Sequence, residues 1–177
     1  MKKTITTAIL FLIVFASCRK DDAGGYTSTT AHMTAQIDGV GFSFNTYTKA
    51  VWQDTVIQNV PVRLLGIIGQ NATDEMDVIV GQISTRPGVG TYTESGTTYA
   101  IQMDYYPNAN TSSFAYTNHS QLNTASTNKL QVVISSIDSI GVRGSFQGEV
   151  YYYSTTATTP DITKKRVITG GDFYAKF

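Results

Sequence analysis

Val142-Arg143-Gly144-Ser145-Phe146-Gln147-Gly148-Glu149-Val150-Tyr151-Tyr152-Tyr153 is the stretch from which the fold class is read. Side chains alternate across a strand, so Val142, Phe146, Val150 and Tyr152 share one face, with Gly144 and Gly148 between them. Arg143, Gln147, Glu149, Tyr151 and Tyr153 share the other. Glycine inside a strand marks a bulge or a close backbone approach, and both glycines are read here as packing features. Phe146 is expected to be buried beside Phe173, on an adjacent strand of the same sheet.

The same period of two recurs on either side of this stretch. Met33, Ala35 and Ile37 alternate with polar partners, Asp38-Gly39-Val40-Gly41 makes a turn, and Phe42-Ser43-Phe44 opens the return strand of a hairpin. Val62–Ile68, Met76–Gly81 and Tyr99–Tyr105 read as further strands, the second too apolar for a sheet edge. Arg86–Tyr92 is dense in turn residues, and Phe114 with Tyr116 marks a short strand inside the Asn/Ser/Thr-rich segment 107–128. Leu130–Asp138 and Lys165–Phe177 flank the opening stretch, and no window shows helical periodicity. Strands at such spacing predict an all-β antiparallel sandwich, with an open or flattened barrel as the alternative. The composition agrees: 15% charged, 11% aromatic, 11 Tyr and only 4 Pro in 177 residues suit one β-rich domain. Thirteen basic residues against thirteen acidic ones argue against a nucleic-acid partner, and a single Cys excludes a disulfide framework and a Cys-based zinc cluster.

The N-terminus is of a different kind. Met1-Lys2-Lys3 precedes an apolar run from Ala8 to Ala16, about half the ~20 residues a membrane-spanning helix needs, so residues 1–17 read as a secretory signal peptide. Phe15-Ala16-Ser17-Cys18 resembles a bacterial lipobox, which implies lipidation of Cys18 and a chain held to a membrane by acyl groups. Lys20, Asp21 and Asp22 just after it resemble the surface-export signal of Bacteroidota lipoproteins. Residues 18–30 then form a flexible tether rich in Gly, Ser, Thr and charge, and 31–177 a single domain.

Ala35–Phe42, Gly90–Tyr92, Val142–Gly148 and Val167–Phe173 together resemble a layout found in small β-sandwich lipoproteins of unknown function from Bacteroidota. The resemblance implies an outer-membrane, cell-surface β-sandwich and brings no catalytic residues with it. The expected function is a non-catalytic binding or accessory module for a polysaccharide or another envelope protein. A purely structural envelope lipoprotein and a hydrolase of unrecognised type are the alternatives.

Candidate sites follow from residue chemistry. Tyr151 and Tyr153, with Glu149, Gln147 and Arg143 on the same face, form a candidate sugar-stacking surface, and Trp52 is a candidate third ring. Asp74, Glu75 and Asp77 gather oxygen ligands near a turn and are the weak candidate for calcium, the one cofactor considered. Asp54-Thr55-Val56 and Asp138-Ser139-Ile140 resemble the O-glycan sequon of exported Bacteroidota proteins, which makes Thr55 and Ser139 candidate acceptors. Glu94, Asp104 and Glu149 are the carboxylates from which a glycosidase pair would be drawn, though nothing in the sequence selects two of them. His32 and His119 lie in no metal or nucleophile motif.

Overall fold

Alternating Val, Ile, Tyr and Thr residues drive this chain into strands, and the computed structural model has eleven among the residues it describes. It describes residues 31–57, 59–94, 99–109, 113–118, 129–154, 156–157 and 159–177. Cys18, Lys20, Asp21, Asp22 and His119 lie outside them. The strands are β1 (His32–Ile37), β2 (Val40–Ser43), β3 (Tyr47–Ile57), β4 (Val60–Gln70), β5 (Glu75–Ile83) and β6 (Gly90–Thr93), then β7 (Tyr99–Tyr106), β8 (Phe114–Thr117), β9 (Gln131–Ile137), β10 (Gly141–Ser154) and β11 (Asp161–Lys176).

All eleven are hydrogen-bonded in the order β2-β1-β11-β3-β4-β5-β7-β8-β10-β9-β6, with β10 also paired to β11. Every pairing is antiparallel except β11 with β3, which meet in parallel at one residue pair, Lys176 and Lys49. The molecule is therefore all-β, as its periodicity predicts, and the two long strands explain how one sheet makes two layers. The first part of β10 pairs with β9 and its last four residues with β8. The second part of β11 pairs with β1. One layer is thus β2-β1-β11-β10-β9-β6; the other is β3-β4-β5-β7-β8, continued by the far ends of β10 and β11.

The strands cross between layers at a bulge where β11 carries an extra residue between Ile168 and Gly171. Gly170 sits there at a φ of 58°, a left-handed conformation that side chains with a Cβ rarely adopt. The core lies between the layers. Met33, Ala35, Phe146, Phe173 and Val132 from one meet Leu65, Ile67, Val78, Met103 and Val150 from the other in one buried cluster. The ring of Phe42 stands 6.2 Å from that of Tyr105 across the gap. Phe146 and Phe173 are both buried, on adjacent strands, with ring centroids 6.3 Å apart.

Candidate functional site

Residues at odd positions of β10 point away from the core, as the alternation requires, but they meet two environments. Arg143, Ser145 and Gln147 are exposed. Glu149 and Tyr151 are not: they are 1% and 3% exposed. The Tyr151 hydroxyl donates to Glu149 Oε2 at 2.9 Å, and Lys165 Nζ reaches Glu149 Oε1 at 2.9 Å. Hydrogen bonding to Glu149 holds the Lys165 ammonium above its ordinary pKa. Tyr153 is half-buried opposite Ala115. The expected Tyr151–Tyr153 stacking surface is therefore corrected, because one ring and the carboxylate beside it are sealed in a buried polar network. Trp52 is corrected as well. It packs against the core from β3, stacked on Phe177 at 5.6 Å, with the Arg86 guanidinium 4.9 Å from its ring.

One open groove, of about 330 Å³, lies on the outer face of the first layer, lined by His32, Ser135, Arg143, Gly144, Ser145 and Asp172. Strand register assembles it from four strands. Arg143 on β10 faces Tyr174 on β11, which faces His32 on β1; one row along, Ser145 faces Asp172. Ser135 is the extra residue of a bulge where β9 pairs with Arg143 and Gly144, and the bulge is what turns it into the groove. His32 Nε2 lies 2.8 Å from Asp172 Oδ2, and the Arg143 guanidinium carbon lies 3.7 Å from the centre of the Tyr174 ring. Gly144 lends its backbone to the floor, while a β-carbon there would point into the core and strike the Val133 carbonyl and the Phe173 ring. Of the expected ligand residues only Arg143 lines this groove. His32, Asp172 and the two serines were missed because strand pairing, not sequence proximity, brings them together.

Chemically the groove offers donors from a guanidinium, an imidazole and two hydroxyls, and an acceptor carboxylate.

The remaining candidates separate. Asp74 Oδ1 accepts the Asn108 N–H at 3.0 Å and Oδ2 the Tyr105 hydroxyl at 3.1 Å, while Glu75 accepts from the Gln70 side-chain amide. Asp77 is buried on the outer face of the second layer beside Asp104. The three do not converge, and among the described residues no group of three His, Cys, Asp or Glu side chains is placed to hold a metal ion, which corrects the calcium expectation. The glycosidase carboxylates are equally dispersed. Glu94 accepts from Asn118 Nδ2 and the Leu130 N–H, both at 3.1 Å; Asp104 belongs with Asp77; Glu149 belongs with Lys165. Ser139 is exposed in the turn between β9 and β10, where Asp138 Oδ1 accepts the Ile140 and Gly141 N–H groups. Those two bonds hold the Asp138 carboxyl below its ordinary pKa. Thr55 is half-buried within β3. No family model, curated protein or solved structure matches this chain.

Proposed function

We propose that this chain is a lipid-anchored, surface-displayed outer-membrane lipoprotein whose open groove binds a hydroxyl-rich polysaccharide without chemical conversion. The carrying observation is the groove itself: it is shallow and mixes donors with a carboxylate acceptor around Arg143 and the His32–Asp172 pair. Polyhydroxylated ligands need both kinds of partner, and an open face admits a polymer from either side. The N-terminal run ending at Cys18 and the Lys20-Asp21-Asp22 cluster support anchoring and export.

Two experiments test the two halves of this reading. In affinity electrophoresis through gels containing single polysaccharides, the chain should be retarded, and an Arg143→Ala, Asp172→Asn double variant should bind about tenfold more weakly or less, the loss expected for a charge-assisted hydrogen bond. Retardation by no polysaccharide would remove the glycan reading and favour an envelope protein as partner. Cys18→Ser should leave the protein uncleaved or release it from the membrane fraction; unchanged processing and partitioning would remove the anchor.

A further inference from the structure

Asp77 on β5 and Asp104 on β7 stand directly opposite one another in strand register, on the face turned away from the main core. Both are buried, 6% and 5% exposed. Residues paired this way have Cβ atoms about 4.5–5.5 Å apart, so their carboxyl groups are within reach of each other. Asp104 Oδ2 accepts from Gln102 Nε2 at 2.6 Å, whereas Asp77 Oδ1 is buried with no hydrogen-bond partner.

Among the described residues, none beside the pair supplies a compensating charge. On β5 the neighbouring titratable group is another acid, Glu75; on β7 it is Tyr106, opposite Glu75. β4 presents Ile68 to Asp77, and β8 presents Thr117 to Asp104. Beyond Thr117, β10 places Tyr151 with Glu149, and β11 places Lys165, already bonded to Glu149. The cation at the other end of the row is Lys49 on β3, two strands beyond Asp77. Two ionised carboxylates in this setting repel at low dielectric, with no adjacent cation among the described residues.

We propose that Asp77 and Asp104 share one proton across the β5–β7 pair and act as a proton-dependent clasp on the neighbouring β7–β8 seam. The protonated carboxyl donates its O–H to the other carboxylate, which gives the unpartnered Asp77 oxygen its bond. When the proton leaves to water, two like charges face each other beside Thr117. The seam is the place to yield, because β7 and β8 meet in only two register pairs, Asp104 with Thr117 and Tyr105 with Tyr116, extended by Asn118 bonding to Met103.

Burial moves the chemistry in the required direction. It raises Asp77 well above the ordinary carboxylate pKa, with Glu75 and Asp104 adding to the effect, and raises Asp104 to about 6 against the opposing Thr117 and Gln102 hydrogen bonds. A raised folded-state pKa stabilises below the unfolded value, and that stability is lost as pH rises through about 6.

Hydrogen exchange of the β8 amides, corrected for intrinsic rate, tests the clasp at about pH 5 and about pH 8, with β4 as internal control. Wild-type protection of β8 should fall about tenfold more than that of β4 across this interval, and the isosteric Asp104→Asn and Asp77→Asn variants should lose the difference. Carbon-13 spectra of the wild-type Asp carboxyls decide the matter without any variant: at least one should titrate near or above 6. The proposal is overturned if every Asp carboxyl titrates below about 5, or if β8 opens identically with pH in wild type and both Asn variants.

Discussion

Gly144 and Phe173 face each other across β10 and β11, and so do Phe146 and Gly171. Each phenyl ring lies over the glycine of the opposite strand. A β-carbon on Gly144 would stand 2.6 Å from Phe173 Cζ and would also strike the Val133 carbonyl; one on Gly171 would stand 2.6 Å from Phe146 Cδ2. The repeated Gly-x-Phe spacing is therefore a reciprocal packing device, with bare backbone on one strand making room for an aromatic ring on the other. Phe146→Ala or Phe173→Ala should each cost about 3–5 kcal/mol in urea unfolding, and Gly144→Ala about 1–3 kcal/mol through overpacking. A Gly144→Ala, Phe173→Ala double variant should be less destabilised than the sum, since the smaller residue removes the ring that the new methyl would strike. At this scale the alternation of β10 was legible from the sequence in full. The sealing of Glu149 and Tyr151 was not, because polarity alone gives no sign that a Glu and a Tyr hydroxyl will satisfy each other out of water.

Among the elements, periodicity revealed neither β6, which falls largely in the stretch 86–92 read as turn, nor β3. Only one residue of β3 pairs with β11, so along most of one long flank β3 meets no neighbouring strand among the described residues. Of its side chains Ala50 reaches the buried cluster and Trp52 packs at its margin, while Lys49 and Asp54 are exposed. Such a strand is defined by hydrogen bonds to β4 rather than by an apolar face, which leaves little hydrophobic signal. β5 is the opposite case: Leu64, Val62 and Ile79 form a second small cluster on its outer side, so it is apolar on both faces and was readable as interior. The β1–β2 turn shows how a single polar side chain can fasten one element to another. Asp38 Oδ1 accepts the Val167 N–H at 2.8 Å and Oδ2 accepts Arg166 at 2.7 Å, tying the hairpin to β11. Burial works to raise this carboxyl, but the Val167 bond and the Arg166 charge outweigh it and leave the pKa below the ordinary value. Its contribution is therefore present above about pH 4 and is lost as pH falls through the lowered value. Asp38→Asn should flatten the acid side of a plot of Tm against pH. An unchanged acid limb would show that the turn is held by its backbone bond from Asp38 N–H to the Val167 carbonyl alone.

At the scale of the whole molecule, the groove and the point where the chain enters the domain coincide. His32, a groove residue, is the first residue of β1, one step after Ala31. Thirteen residue steps separate Cys18 from Ala31, and a flexible tether of that length, as the sequence leads one to expect, would have a root-mean-square span of about 20 Å. If Cys18 carries the anchor, as proposed above, this short span sets how far the groove stands from the lipid surface. A polysaccharide several sugars wide must pass between the membrane and the face bearing Arg143 and Asp172, so clearance becomes part of binding. Deleting residues 23–30 leaves Cys18 and the Lys20-Asp21-Asp22 cluster in place and shortens the span to about 12 Å. That variant should bind polysaccharide as well as the full chain when both are made soluble by Cys18→Ser, yet retain less polymer when displayed on whole cells. Equal retention on cells would place the groove away from the lipid surface, and loss of binding in the soluble form would assign residues 23–30 to the site itself.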